Sequence, residues 1–165
     1  MRLSNKVVRT LIAAAKQARH KAYCPYSRYP IGGAVLTDSG RIFSGANVEN
    51  ASYGLTICGE RVAVANAVTR GEKSLLAVCV VGRSPRPCGA CRQFIMEFST
   101  KDTWLYIVDV GVDGGRESVT KARMYAMLPG AFDPLEAGLL PPNPQNLLKR
   151  RKGKTRRGRR TASKR

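Results

Sequence analysis

The chain has 165 residues, of which 43% are hydrophobic, so it is long and apolar enough for one folded domain with a packed core. Its 29 Lys and Arg residues outnumber its 11 Asp and Glu residues, which gives a net charge of +18. No apolar run approaches the roughly 20 residues of a membrane-spanning helix. No export signal is evident, and the five cysteines are odd in number. These features exclude a membrane-spanning protein and predict free thiols in a reducing compartment, the cytosol or the nucleus.

The first third of the sequence predicts a helix followed by a β-hairpin. Apolar residues recur at helical spacing from residue 5 to about residue 22, and Pro25 ends this helix. Two strands, residues 31–37 and 41–45, are predicted around a turn at Asp38-Ser39-Gly40.

Helices and strands are predicted to alternate through the rest of the chain. The predicted order is a helix at 58–68 that Gly71 ends, a buried strand at 75–82, a helix at 88–98, a buried strand at 104–110, a turn at 113–115, a short strand at 117–119 and a last helix at 120–127. This order predicts an α/β fold with two β-α-β units. The N-termini of its two middle helices would lie at one end of the sheet, beyond the carboxyl ends of the strands, where open α/β sheets bind ligands.

Three cysteines open the two middle helices. Cys58 opens the first helix, and Cys88 and Cys91 stand three residues apart in the first turn of the second, so they face the same side. Three thiolates can hold a zinc ion and leave its fourth tetrahedral position open to water. The dipoles of two helix N-termini would stabilise those thiolates.

A carboxylate lies two residues beyond the first thiol. Glu60 is therefore predicted to be the general base and acid for water that zinc makes acidic. Arg61 is predicted to offset part of the excess negative charge of three thiolates. The spacing also matches the zinc-deaminase signature, H-x-E or its three-cysteine form followed by P-C-x-x-C.

Two other interpretations of the cysteines stay open. A closed structural zinc site would need a fourth ligand from Cys24, Cys79 or His20. Cys79 lies in an apolar run and Cys24 precedes Pro25, so both are interpreted as plain structural thiols, and His20 is assigned no role. A disulfide framework is the weaker alternative, because the number of cysteines is odd.

Four sequence blocks resemble the cytidine deaminases. They are AYCPYSRYPIGGA at 22–34, GANVENASYGL at 45–55 leading into Cys58-Gly59-Glu60-Arg61, PCGACRQ at 87–93 and LPGAF at 128–132. The blocks occur in the order of that family, and the resemblance spans roughly residues 3–138. The chain is similar to the short, three-cysteine, homotetrameric branch of the nucleoside deaminases.

The resemblance implies a fold and an activity. The fold is a three-layer α/β structure with a central mixed sheet of about five strands flanked by helices. One zinc ion per subunit is held by Cys58, Cys88 and Cys91. Cytidine and deoxycytidine are hydrolytically deaminated to uridine and deoxyuridine, a reaction of pyrimidine salvage, by a zinc-bound hydroxide with Glu60 as the proton shuttle. The subunits are implied to form a homotetramer.

The resemblance also implies substrate contacts. Asn47 and Glu49 match a pair that hydrogen-bonds the ribose 3′-hydroxyl. Tyr29 stands where the family usually has Phe stacked on the pyrimidine, and its added hydroxyl needs a partner. Gly59 stands where the family usually has Ala, whose backbone N–H contacts the base, and this departure is expected to be mild. Ala51, Tyr53 and Phe132 are also assigned to substrate binding, Tyr53 and Phe132 by reaching into a neighbouring subunit's site.

The C-terminus has no counterpart in the family pattern. Residues 149–165 contain eleven Lys or Arg and no acid. The sequence therefore predicts a deaminase domain at 1–138, a Pro-rich linker at 139–148 and a disordered basic tail at 149–165. The protein is predicted to be cytosolic, with the tail interpreted either as a nuclear or nucleolar address that contacts an import factor or as an arm that contacts nucleic acid. A non-specific solvated tail is the alternative.

Three other functions remain open at this point. The tail favours a deaminase that acts on cytosine in RNA or DNA. A second alternative is an RNA-associated binding protein on a retained deaminase fold, against which the intact Cys58, Glu60, Cys88 and Cys91 argue. A third is deamination of a cytosine-containing antibiotic, against which the Asn47 and Glu49 pair argues.

Overall fold

The computed structural model describes residues 3–112, 115–134 and 137–139. The chain divides into two compact units, Met1–Phe132 and Asp133–Arg165. All the helices and strands described below belong to the first unit.

In the second unit, the described residues form two overlapping turns. The N–H groups of Ala137 and Leu139 donate to the carbonyls of Asp133 and Pro134, at 3.0 and 2.9 Å respectively. Beyond Leu139, the predicted linker and the predicted basic tail lie outside the described residues.

The first helix, α1, spans Asn5–Arg19. The Ser4 side chain caps it by accepting the Val7 N–H at 3.3 Å. The helix ends three residues before the predicted position, because Lys21 and Ala22 donate to the carbonyls of Ala18 and Arg19 in a tighter turn. Its buried residues, Leu11, Ala15 and Ala18, face the sheet.

Five strands form one mixed sheet in the order β2-β1-β3-β4-β5. They are β1 (Gly32–Thr37), β2 (Ile42–Ala46), β3 (Leu75–Gly82), β4 (Ser99–Asp109) and β5 (Ser118–Arg123). Strands β3 and β4 pair in parallel and the other neighbours pair antiparallel. The predicted hairpin and the strand at 75–82 are confirmed, the latter with the predicted bounds.

Helices cover both faces of the sheet. On one face α1 packs on a core that includes Ala34, Leu36, Ala77, Cys79 and Val81. On the other face, helices α2 (Gly59–Val68) and α3 (Gly89–Met96) pack on the alternate strand residues, among them Val35, Val78, Val80, Leu105 and Ile107. This three-layer arrangement around a five-stranded mixed sheet confirms the predicted fold class.

Both middle helices begin at the same end of the sheet. Strands β2 and β3 each pair antiparallel with β1, so they run in the same direction, and α2 connects them. Helix α3 connects the parallel strands β3 and β4. The N-termini of α2 and α3 therefore both follow the carboxyl ends of parallel strands, as the sequence predicts.

The prediction was wrong for the last helix. Residues 118–123 form β5, which pairs with residues 104–109 of β4, and of the predicted helix only Met124–Met127 is helical, as a 3₁₀ helix. Strand pairing overrides local propensity here. The Lys121 and Arg123 cations also lie over the Trp104 ring, 3.7 and 3.4 Å from its centroid.

One glycine sets the distance between the sheet and the first middle helix. A Cβ atom on Gly33 would lie 2.6 Å from the Gly59 carbonyl oxygen and 2.7 Å from the Glu60 nitrogen. Only a residue without a side chain lets β1 approach the N-terminus of α2 this closely. Among the described residues, no helix is long and apolar enough to cross a membrane.

Candidate metal centre and active site

Three thiols converge at the two helix N-termini. The Sγ atoms of Cys58, Cys88 and Cys91 all lie within 4.8 Å of one another, and those of Cys58 and Cys88 are 3.9 Å apart. All three cysteines are free thiols. The structure thus brings together the three residues that the sequence predicts as metal ligands.

The thiols lie at the first turns of two helices. Cys58 and Cys88 are the N-cap residues of α2 and α3, both in extended backbone conformation. The Cys91 N–H donates to the Cys88 Sγ atom at 3.5 Å and holds the Cys88 side chain over the first turn of α3, whereas the Cys58 side chain makes no capping hydrogen bond. The positive ends of two helix dipoles meet at the sulfur atoms.

The spacing of the thiols fits a zinc ion. With Zn–S bonds of about 2.3 Å, two ligands of a tetrahedral site are separated by about 3.8 Å. The observed 3.9 Å between two of the sulfur atoms agrees with that value. The three sulfur donors lie within 4.8 Å of one another and can hold a metal ion. Because they supply three of the four ligands of a tetrahedral ion, one coordination position is left to a small molecule.

The thiols stabilise negative charge on one another. The pKa of Cys58 is lowered to about 5, because the Cys91 thiol donates a hydrogen bond to its sulfur and the Arg61 guanidinium also donates to it. The pKa of Cys91 is raised, because its proton is held in that hydrogen bond and the side chain is buried. A shared thiolate makes the cluster an attractive position for a cation.

Arg61 lies beside the thiols. Its Nη2 atom donates to the Thr56 carbonyl at 2.9 Å and lies 3.9 Å from the Cys58 sulfur. Its buried Nε atom has no hydrogen-bond partner among the described residues. Arg61 therefore brings a positive charge and an unused donor to a cluster that carries negative charge.

Glu60 is almost completely buried next to the cluster, with only 3% of its surface exposed. Burial raises the pKa of Glu60 to about 7, and the nearby Cys58 thiolate adds to this effect. A carboxyl group that titrates near neutral pH can both take up and release a proton under ordinary conditions. This is the property that the sequence assigns to Glu60.

Asn47 holds two chain segments together. Its Oδ1 atom accepts the Ile31 N–H at 2.9 Å, and its Nδ2 atom donates to the Tyr29 carbonyl at 3.1 Å. The side chain is buried. The resemblance implies that Asn47 contacts a sugar hydroxyl; the backbone contacts, which are not predicted from the sequence, fix the segment that carries Tyr29.

Glu49 lines a cavity of about 270 Å³ with Tyr26, Ser27, Tyr53 and Thr56. Its carboxylate accepts the N–H groups of Tyr26 and Ser27, at 2.9 and 3.2 Å, and the Ser27 hydroxyl. The Ser27 hydroxyl, followed by these backbone donors, lowers the pKa of Glu49. Ser27 and Thr56 are not predicted as site residues, since short polar residues in a loop carry no chemical signal of their own.

Tyr29 finds a partner for the hydroxyl that distinguishes it from Phe. The hydroxyl donates to the Arg83 carbonyl, in the loop between β3 and α3. Burial raises the pKa of Tyr29, and the charge of Glu60 also acts on it, so the ring lies within electrostatic reach of the buried carboxyl group.

The other predicted substrate-binding residues lie at the surface. Tyr53 is 74% exposed, Phe132 is 58% exposed, and Ala51 is also exposed. Gly59 is buried at the first position of α2, where a Cβ atom would lie 2.9 Å from the Ile31 carbonyl oxygen. Adding the methyl group of Ala at Gly59 would therefore require the backbone to shift, whereas the backbone N–H that the resemblance assigns to the base is present with either residue.

Comparison with known proteins agrees with this geometry. A family model described as the cytidine and deoxycytidylate deaminase zinc-binding region matches residues 5–107. Because that match covers more than half of the sequence, the chain belongs to this family.

Individual relatives and structures point the same way. The chain is 44% identical over 125 residues to a cytidine deaminase of Halalkalibacterium halodurans, covering 74% of this chain and 91% of that protein. It is 46% identical to a probable cytidine deaminase of Dictyostelium discoideum, covering 73% and 80%. The crystal structure of a cytidine deaminase from Burkholderia pseudomallei superposes with a TM-score of 0.66 at 40% identity, covering 79% of this chain and all of that one.

Proposed function

We propose that the protein hydrolytically deaminates cytidine and deoxycytidine to uridine and deoxyuridine, a reaction of pyrimidine salvage. One observation carries the proposal: a buried carboxyl group, Glu60, lies beside three converging thiols at two helix N-termini. When bound by Cys58, Cys88 and Cys91, zinc makes water acidic enough to act as a nucleophile near neutral pH.

Glu60 moves both protons of the reaction. Water adds to C4 of the cytosine ring while Glu60 takes a proton from it and delivers this proton to N3. Glu60 then carries the second proton to the exocyclic amino group, which leaves as ammonia. A pKa of about 7 suits a group that alternates between base and acid at neutral pH.

Arg61 limits the negative charge at the thiols. Three thiolates give a divalent ion a net negative environment, which weakens its ability to acidify water. The Arg61 guanidinium, 3.9 Å from the Cys58 sulfur, withdraws part of that charge.

The polar residues on either side of Val48 bind the sugar. Glu49 is kept ionised by its three donors and accepts a hydrogen bond from the 3′-hydroxyl. The Asn47 amide has a second N–H for the same hydroxyl. Neither contact addresses the 2′ position, so both sugars are substrates.

The contact with Glu49 also separates nucleosides from polynucleotides. A 3′-phosphate at this position would face the Glu49 carboxylate and be repelled. The test incubates the zinc-loaded protein with cytidine, deoxycytidine and a cytosine-containing oligonucleotide. Uridine and deoxyuridine should form with one ammonia each. Strong rejection of one nucleoside would contradict the sugar contacts, and product from the oligonucleotide alone would contradict the nucleoside reaction.

The active unit is proposed to be a homotetramer whose sites are completed by neighbours. Large apolar side chains are exposed on two segments that bridge each other beside Glu49, namely Tyr23, Tyr26, Val48, Tyr53, Leu55 and Ile57. The cavity, at about 270 Å³, is smaller than the roughly 300–1,000 Å³ of typical ligand pockets. Side chains from a second subunit, Tyr53 and Phe132 among them, would cover the apolar surface and close the cavity.

The proposed domain boundaries place the catalytic domain at 1–138, a linker at 139–148 and a basic tail at 149–165. The tail's eleven cations, with no acid among them, support electrostatic contact with nucleic acid or an import factor and a nuclear or nucleolar location. This contact is separate from the chemistry of the thiol centre.

A further inference from the structure

One peptide group connects Tyr29 to a carboxylate on the neighbouring strand. The Tyr29 hydroxyl donates to the carbonyl of Arg83, and the N–H of the same peptide unit, which belongs to Ser84, donates to the Asp109 Oδ1 atom at 2.9 Å. The Gly111 N–H donates to the same oxygen, also at 2.9 Å. Asp109 is the last residue of β4, at the carboxyl end of the sheet where the thiols lie.

Residues with positive φ stand next to both partners of the Tyr29–Arg83 hydrogen bond. Arg28, directly before Tyr29, has φ +54°, and Ser84, directly after Arg83, has φ +46°. They are the two non-glycine residues with positive φ in the part of the chain that the structure describes. Strained residues of this kind persist only where the surrounding contacts hold them, and they cluster at functional sites.

The electrostatics of the peptide group favour this geometry. A carboxylate that accepts an N–H polarises the peptide, which makes the carbonyl on its other side a stronger acceptor. The backbone N–H groups of Ser84 and Gly111 lower the pKa of Asp109, so the carboxylate is charged at neutral pH. The Arg83 guanidinium lies 5.9 Å from the centroid of the Tyr29 ring and adds a second contact to the same loop.

We propose that Asp109 is a positioning residue for the substrate base, acting through the Arg83–Ser84 peptide to hold the Tyr29 ring in place. The inference rests on the proposed function and on the role that the resemblance implies for Tyr29, stacking on the pyrimidine. A Phe at this position would not form the connection, because it has no hydroxyl. In this chain the hydrogen bond from the Tyr29 hydroxyl to the β3–α3 loop fixes the orientation of the ring, which a Phe ring would owe to packing alone.

The test compares Asp109→Ala and Asp109→Asn in two backgrounds, the natural sequence and Tyr29→Phe, by steady-state kinetics with cytidine. Asp109→Ala should raise KM about tenfold, the scale of one charge-assisted hydrogen bond, and change kcat less than about twofold. Asp109→Asn should rescue part of the loss, since its Oδ1 atom still accepts the Ser84 N–H. In the Tyr29→Phe background, Asp109→Ala should change KM by less than about twofold.

A matched control lies on the same strand. Asp102 is near the opposite end of β4, where its carboxylate lies 3.6 Å from Arg123, and Asp102→Ala should leave KM unchanged. An equal rise in KM from Asp109→Ala in both backgrounds, or a fall in kcat with KM unchanged, would overturn the positioning role.

A measurement without substrate separates this proposal from the proposed function. The ¹³C shift of the Tyr29 ζ carbon reports the hydrogen bond of the hydroxyl. It should move in Asp109→Ala and stay in place in Asp102→Ala. If the natural protein fails to deaminate cytidine, the proposed function is wrong. If the ¹³C shift of the Tyr29 ζ carbon does not change in Asp109→Ala, the proposed connection between Asp109 and Tyr29 is wrong. Turnover by the natural protein with a KM insensitive to Asp109 overturns the positioning role alone.

Discussion

The surroundings of two carboxyl groups near the site shift their pKa values in opposite directions. Glu60 is buried, and burial raises its pKa to about 7, the value that proton transfer at neutral pH requires. Glu49 lines a cavity, where the Ser27 hydroxyl and two backbone N–H groups donate to it, and its pKa is lowered. Deep burial of Glu60 and hydrogen-bond donors to Glu49 together decide which carboxyl group exchanges protons and which stays a fixed acceptor.

The Ser27 hydroxyl should give stability a specific pH dependence. Because the pKa of Glu49 is lowered in the folded state, its contribution is fully present above the ordinary value of 4.5 and is lost as pH falls through the lower folded value. Ser27→Ala should therefore reduce Tm at pH 7 and approach the natural protein's Tm under strongly acidic conditions. A Tm difference that grows on acidification would contradict this account.

Gly59 should be intolerant of the residue that the family usually has. A Cβ atom there would lie 2.9 Å from the Ile31 carbonyl oxygen, a backbone atom that cannot turn aside. Gly59→Ala should lower the free energy of unfolding by about 1–3 kcal/mol. Gly89→Ala is the matched control, because Gly89 likewise follows a ligand cysteine at the first position of a helix but has no atom near its Cβ position. Equal urea denaturation midpoints for both variants would contradict the steric argument.

At the scale of helices and strands, contacts between side chains of β4 and the edge strand β5 stabilise one edge of the sheet. Lys121 and Arg123 on β5 lie over the single tryptophan, Trp104, on β4. Lys121→Ala and Arg123→Ala should each lower stability by about 0.5–1 kcal/mol without loss of turnover. Tryptophan fluorescence during urea denaturation measures this, with the exposed Lys101→Ala as the control. No difference from the control would show that the ring contacts do not stabilise the sheet.

Features that arise from local sequence could be predicted, and features that arise from contacts between distant residues could not. Continuous apolar runs such as residues 75–82, the helix starts at Cys58 and Cys88, and the spacing of Cys88 and Cys91 are local signals, and the structure confirms them. Only the start of β5 is predicted as a strand, because its residues are mostly exposed and most of its conformation comes from pairing with β4. The partners of Tyr29 and Glu49 are likewise missed, since they come from residues 54 positions away or from backbone N–H groups.

At the scale of the whole molecule, assembly should be required for activity. Leu55 is 66% exposed and Tyr53 is 74% exposed, on the surface proposed to meet a neighbouring subunit. Leu55→Asp should place a charge in that interface and give a monomer with no turnover, measured by light scattering and cytidine conversion. Thr69→Asp, on an exposed residue at the end of α2, is the control and should stay assembled. An active monomer would refute the shared site.

The basic tail should be dispensable for the reaction. Replacing the cations of residues 149–165 with Gln in the full chain should leave kcat/KM for cytidine unchanged and weaken binding to single-stranded RNA, most at low salt. A fall in turnover would show that the tail contributes to the site.

The loss of cytidine absorbance on adding the zinc-loaded protein, with Glu60→Gln run beside it, tests the central claim most directly. Glu60→Gln keeps the size of the side chain and removes its ability to exchange protons. Turnover by the natural protein that falls at least about a hundredfold in Glu60→Gln is the predicted result. No turnover by the assembled, zinc-bound protein, or full turnover by Glu60→Gln, would contradict the account.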